Sequence, residues 1–199
     1  MPDTPVRRAP TADLLALLIA HDPADAAEAA ARTEMLAFVR SASDPFDRRA
    51  LPGHVTGSAI IADGAGTAFL LVRHRKLGRW LQPGGHAQAD DSSIFATATR
   101  EAREETGLTV LETPYGEGAL HLDVHEIPAR NGEPVHRHFD VRFLLTASRM
   151  RPRHAVDEVS DAAWFTAPEL ERMELDHSLR RALVRARLVL QSVVAREEN

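Results

Sequence analysis

Apolar residues recur at helical spacing from residue 11 to about residue 42, and Asp22 and Pro23 interrupt the run, so the pattern predicts two short helices. Leu14, Leu15, Leu18 and Ile19 form the expected buried face of the first. Pro45 and Pro52 close this stretch, and the period then changes. Residues 56–72 read as two strands joined at Asp63-Gly64-Ala65-Gly66, a glycine-containing hairpin signal. A short extended piece, Arg79-Trp80-Leu81-Gln82, is stopped by a turn at Pro83-Gly84-Gly85. Residues 92–106 predict a helix that Gly107 ends. Two alternating runs, 119–127 and 135–147, flank Pro128, Asn131-Gly132 and Pro134 and predict a second hairpin. A turn centred near Arg130 and Asn131 sets His125 opposite His136, Asp123 opposite His138 and His121 opposite Asp140. A last strand near 162–165 precedes Pro168, and the stripe Leu179, Ala182, Leu183, Ala186, Val189, Leu190 and Val193 predicts an amphipathic helix over 177–197.

Composition narrows what this string of elements can be. The 199 residues are 44% hydrophobic and 27% charged, as in ordinary globular proteins, and no apolar run approaches the roughly 18 residues of a membrane span. Two arginines near the start are followed by no apolar core, so a secretory signal is not expected and a cytoplasmic location is. Zero cysteines fit a reducing compartment and exclude disulfides, thiolate zinc sites and cysteine nucleophiles. A net charge of −5 argues against a nucleic-acid partner, since broad affinity for nucleic acid depends on neutralising many phosphates with Lys and Arg. A polyphosphate is still an acceptable ligand where a divalent cation supplies the local positive charge.

The predicted helix over 92–106 carries the chemistry. Glu101 and Glu105 fall one turn apart, with Glu104 beside them, so three carboxylates converge on one face. Like charges at this spacing oppose the helix by roughly a few tenths of a kcal/mol per pair, and a cation relieves them. Mg²⁺ suits the set, because it takes oxygen ligands and shares carboxylates with substrate phosphates. Ion pairs with Arg100 and Arg103 on a solvated helix surface are the other account, and these residues alone leave both open. Ile94, Ala98 and Ala102 meanwhile form a row able to pack on a sheet.

Gly84-Gly85-His86 followed by Arg100-Glu101-Ala102-Arg103-Glu104-Glu105-Thr106-Gly107-Leu108 closely resembles the Nudix box, and the resemblance covers roughly residues 51–170. It implies an α/β fold, the Nudix α/β/α sandwich around a mixed β-sheet. Residues 1–50 are then an N-terminal helical extension, and 171–199 a C-terminal helix packed on the domain. The implied activity is Mg²⁺-dependent cleavage of a phosphoanhydride bond in a nucleoside diphosphate derivative or nucleoside triphosphate, with Mn²⁺ as a substitute ion. In this resemblance Glu101, Glu104 and Glu105 are the catalytic metal-binding set, Gly84 lends the metal a backbone carbonyl, and Arg100 braces the loop through an acidic partner. The loop is one residue longer than is usual for the family. Arg100 stands fifteen positions after Gly85, and Asp91 stands six after it, where the family has a glutamate. Asp91 or Asp90 is expected to take the bracing role, leaving Ser92 or Ser93 to cap the helix. The Gly-Gly-His box and its flanking residues are most similar to a bacterial subgroup of the family.

The family draws a carboxylate base either from the helix or from a loop before a late strand. Glu158 is the loop candidate here and Glu101 the helix candidate. On the second hairpin, His121, Asp123 and His125 share one strand face, and His136, His138, Asp140 and Arg142 share the next. Three uses stand open: satisfied or solvent-facing histidines, a substrate cleft in which His136, His138 and Arg142 meet phosphate oxygens, or a Zn²⁺-type site. Arg79 is a further substrate-binding candidate, and the adjacent Trp80 either stacks on a base or is buried. Isopentenyl diphosphate isomerase shares the fold, but its chemistry needs a cysteine. A module that senses a nucleotide derivative without turnover and a hydrolase of RNA 5′ ends are the other functions weighed. The intact box favours turnover, and the acidic balance disfavours RNA. A homodimer is expected from resemblance to dimeric relatives and from the apolar outer helices.

Overall fold

A computed structural model describes residues 9–109, 111–130, 132–153 and 157–197. The elements are α1 (Ala9–Ala20), α2 (Ala26–Ser41), β1 (Gly53–Asp63), β2 (Ala68–His74), β3 (Arg79–Leu81), β4 (Gly84–His86), α3 (Ile94–Thr106), β5 (His121–Ile127), β6 (His136–Ala147), β7 (Val159–Thr166), α4 (Ala167–Arg172) and α5 (His177–Glu197). Strand β1, buried along its whole length, is the axis of the mixed sheet. One edge runs parallel to β6 from Gly53↔Arg137 to Asp63↔Ala147. The other edge is divided, with Thr56–Ser58 paired to β4 and Ile61–Ala62 to β2, both antiparallel. Strand order is β3-β2-β1-β6-β5, and β7 covers the free edge of β2.

Alternation along β1 and β6 sends successive side chains to opposite faces, and each face finds its own helices. Val55, Phe139, Val141 and Phe143 pack against Leu14, Leu18, Met35 and Phe38 of α1 and α2 and Ile94 and Ala98 of α3. Phe38 stacks on Phe139 with ring centroids 4.1 Å apart and planes 3° from parallel. On the opposite face Ile60, Phe69, Leu71 and Leu144 meet Leu179, Ala182, Ala186 and Leu190 of α5. The result is the expected α/β/α sandwich, and the N-terminal helices share the core of the sheet they cover. Helix α3 lies unusually close to β1: a Cβ on Gly57 would stand 2.7 Å from the Ile94 carbonyl oxygen and 3.1 Å from the Ala98 nitrogen. Only glycine fits there.

A buried carboxylate ties the N-terminal helices down. Glu28 is fully buried, and its two oxygens receive the Ala24 N–H at 2.7 Å, the Leu122 N–H at 2.9 Å and Arg185 Nη1 at 2.8 Å, while His21 Nε2 lies 2.8 Å away. One side chain therefore links α2 to the connection that follows α1, to β5 and to α5. Burial alone would raise its pKa, but the bonds from His21, Ala24 and Leu122 outweigh that cost and hold it at about 2.

Several expectations are corrected in detail. Ile19 is not on the buried face of α1 but 55% exposed; Leu14 and Leu18 are buried there, with Leu15 and Leu17 partly buried beside them. Gly84-Gly85 is not a turn but the start of β4, held by pairing to β1. Helix α4 was not anticipated, and begins at Thr166, whose hydroxyl and backbone N–H both bond to Glu169. The β5–β6 register is two residues away from the expected one: His125 faces His138, Asp123 faces Asp140 and His121 faces Arg142. The reciprocal Arg130–Glu133 backbone pair marks a turn one position later than expected, with Gly132 at φ 86°. A two-residue shift preserves side-chain parity, so the polar groups remain on one face.

Candidate functional site

Helix α3 begins at Ser93, whose hydroxyl accepts the Ala96 N–H at 3.1 Å, and ends at Gly107 with φ 68°. Of the two capping candidates, Ser93 is the one used. Fixed at both ends, the helix sets Ile94, Ala98 and Ala102 against the sheet and directs Glu101 and Glu105 towards β4. Glu105 is 6% exposed, and its Oε2 accepts the Gly84 N–H at 3.0 Å. Glu101 lies over Gly85 so closely that a Cβ there would be 2.6 Å from its Oε1. Glu104 is exposed at the outer end of the same row.

Arg100 organises this row. Its Nε and Nη2 reach the two Asp91 oxygens at 3.0 and 2.9 Å, a fork-to-fork pair, and Nη2 also bonds the His86 carbonyl oxygen at 2.9 Å. The remaining nitrogen, Nη1, touches Glu101 at 2.9 Å and Glu104 at 3.1 Å. Asp91, rather than Asp90, thus occupies the bracing position in the longer loop, where it also accepts the Gln88 N–H and the Thr97 hydroxyl. Burial pushes the Asp91 carboxyl up, but these donors together hold it below the usual carboxylate range.

The carboxylates of α3 have the opposite balance. Burial raises Glu105 to about 8, since one backbone N–H compensates little and Glu101, Glu158 and Glu104 add like charge. Glu101 is also raised, chiefly by burial, despite Arg100. These are hard oxygen donors, crowded together with one guanidinium shared by Glu101 and Glu104, over a glycine backbone with no side chain to fill the gap. A divalent ion of the Mg²⁺ kind fits that donor set.

Glu158 stands exposed in the loop before β7, with Lys76 Nζ 3.9 Å from Oε1, and its charge contributes to the raised Glu105. Arg79 is exposed on β3, whereas the neighbouring Trp80 is half-buried with its ring edge-on to Phe165, centroids 4.8 Å apart. Arg142 does not present a free guanidinium to a cleft. It is 2% exposed and donates to Asp140 at 2.9 Å, Asp123 at 3.4 Å and Ser178 at 2.6 Å. Asp140 in turn accepts from Thr56, Ser58 and Gln82 at 3.0, 2.7 and 3.2 Å, three partners that alternation within one hairpin does not reveal. His136 and His138 are half-buried; His136 Nδ1 lies 2.9 Å from the Pro134 carbonyl oxygen. His138 instead joins His54 and His86, two residues without an assigned role in the strand-face pattern, because parallel pairing places His54 directly beside it.

The family model described as NUDIX domain matches residues 52–186. Among solved structures, an Ap4A hydrolase from C. elegans in a binary complex is 17% identical over 69% of this chain and 98% of its own, with a TM-score of 0.55. The NUDIX domain of Shewanella oneidensis NrtR, complexed with ADP ribose, is 22% identical over 68% of this chain and 87% of its own, with a TM-score of 0.49. A NUDIX family hydrolase from Clostridium perfringens is 24% identical over 70% and 97%, with a TM-score of 0.49. No curated protein matches. With the family model spanning most of the chain and the carboxylate helix seated on its glycine strand, the chain belongs to the NUDIX family, as a hydrolase of phosphoanhydride bonds.

Proposed function

We propose that the chain hydrolyses a nucleoside diphosphate derivative or a nucleoside triphosphate with Mg²⁺ as its cofactor and Mn²⁺ as a substitute. The observation that carries this reading is the convergence of Glu101 and Glu105 on β4, with Glu105 buried against the Gly84 N–H and Glu104 joined to Glu101 through Arg100. Glu101, Glu104 and Glu105 would hold the ion. Within an extended strand the N–H and C=O of one residue point to the same side, so the Gly84 carbonyl also faces the helix and adds a neutral oxygen. Bound Mg²⁺ supplies positive charge to diphosphate oxygens and acidifies water. Arg100 holds the row in place by tying Glu101 and Glu104 to Asp91 and to the His86 carbonyl. Glu158 accepts the proton of the attacking water; its exposed position in the loop leaves it able to approach a bound substrate, with Glu101 as the alternative base.

Arg79 and His136 stay within the proposed substrate-binding set, while Arg142 orders the strands beneath it. A cytoplasmic location and a homodimer are parts of the same proposal; none of the described helices is long and apolar enough to cross a membrane. The test is a panel of ADP-ribose, NADH, nucleoside triphosphates and dinucleoside polyphosphates at matched enzyme concentration, with Mg²⁺ and with a chelator. Mg²⁺-dependent release of a phosphate or nucleoside phosphate from at least one compound is expected. Binding of these compounds without turnover would overturn the reading.

A further inference from the structure

On β1, Gly57 faces α3, so His54, Thr56 and Ser58 project from the opposite face of the sheet. The β1–β6 register sets His138 beside His54, and the β1–β4 register sets His86 beside Thr56. Gly85 faces Glu101, so the His86 ring leaves β4 on the far side from the carboxylates. Three strands thereby deliver three imidazoles to one point. Ring centroids are 4.8 Å apart for His54–His86, 4.8 Å for His54–His138 and 5.3 Å for His86–His138, and one ligand nitrogen from each lies within 4.8 Å of the other two.

Among the described residues, nothing accounts for this grouping as a structural device. His54 is 1% exposed, and neither of its ring nitrogens has a hydrogen-bond partner among the described residues. A buried imidazole without a partner loses its hydrogen bonds to water and gains none in return, a cost that a ligand can offset. His121 is also buried without a partner, but belongs to no such convergence.

We propose that His54, His86 and His138 form a second, nitrogen-lined metal site for a borderline divalent ion of the Zn²⁺ class, distinct from the carboxylate site on the other face of β4. Imidazole nitrogens around one such ion at about 2.0–2.1 Å stand roughly 3.3 Å from each other, so the rings need to rotate inward by about an ångström. No hydrogen bond holds His54 back from that movement. Burial already favours the neutral, ligating form, holding His54 at about 3 and His138 at about 2 and lowering His86. His136, with its ring centroid 5.3 Å from that of His54, lies beside the three but outside their convergence. Three neutral ligands leave the ion its full double charge, unlike the carboxylates of α3, so it attracts an anionic oxygen. The site also locks β4, the strand beneath Glu101 and Glu105, to β1 and β6.

Full-length protein stripped of metal by chelation is titrated with Co²⁺ and Zn²⁺ in excess Mg²⁺, following the visible Co²⁺ spectrum and bound metal per chain. About one equivalent, with the intense absorption of a low-coordinate nitrogen site, is expected for the native chain and for Glu105→Gln. His138→Ala and His54→Gln are expected to bind at least about tenfold more weakly. Should His54→Gln fail to fold by circular dichroism, His138→Ala, at a half-buried position, decides alone. No stoichiometric binding by the native chain overturns the proposal. So does native-like binding by His138→Ala, or loss of binding in Glu105→Gln.

Discussion

Glu28 and Glu105 are both glutamates buried in helices, and they sit at opposite ends of what burial does to a carboxylate. Glu28 receives three donated bonds besides its His21 contact and is held at about 2; Glu105 receives one and is pushed to about 8. The protein meets the charge of Glu28 from its own groups, so that residue is complete as folded. Glu105 is left with like charges around it, an arrangement that favours an external cation. A count of donors therefore separates a structural buried acid from one built to hold an ion, where burial alone does not.

The comparison is broken most severely if the two residues exchange consequences. Glu105→Gln is expected to lower Mg²⁺-dependent kcat by about a hundredfold or more while the chain stays folded. Glu28→Gln should lose about 3–5 kcal/mol of stability in denaturant unfolding, since Arg185 and His21 are left without their anion, yet keep its kcat at a temperature where it remains folded. A native-like unfolding midpoint for Glu28→Gln would show that this linkage contributes little.

The pH dependences should also run in opposite directions. Glu28, lowered from an unfolded value near 4.5, contributes stability that is fully present above about pH 4.5 and is lost as pH falls towards 2, a total of about 3 kcal/mol. Glu105 is raised, so its contribution is fullest below about pH 4.5 and is lost as pH rises through about 8. In metal-free solution at pH 8, Glu105→Gln should melt about 2–4 °C higher than the native chain, and added Mg²⁺ should narrow that gap. A gap unchanged by Mg²⁺ would separate Glu105 from ion binding. The smallest effect expected is that of Glu158→Gln, about tenfold in kcat with the Mg²⁺ dependence intact; an unchanged kcat would remove it from the base role.

Much of this contrast was legible in the sequence on one side only. The three box glutamates are local, since helical spacing alone brings them together, and Gly84-Gly85 precedes them in a familiar order. The partners of Glu28 come from the connection between α1 and α2, from β5 and from α5, and no local period connects them. The hairpin shows the same limit in finer form. Alternation fixed the parity of β5 and β6, but only the position of the turn selects among even-numbered registers, and it sits one position later than expected. Pairing of His54 with His138 depends on parallel β1–β6 contacts between segments far apart in the chain. Strand β4 was hidden by its composition, because two glycines in three residues read as a turn unless β1 is there to pair with them.

The most direct test of the central claim is Mg²⁺-dependent phosphate release by Glu105→Gln on a compound that the native enzyme cleaves, with folding checked by circular dichroism. The account predicts turnover lowered by about a hundredfold or more in a folded protein. Native turnover with the native Mg²⁺ requirement would contradict it.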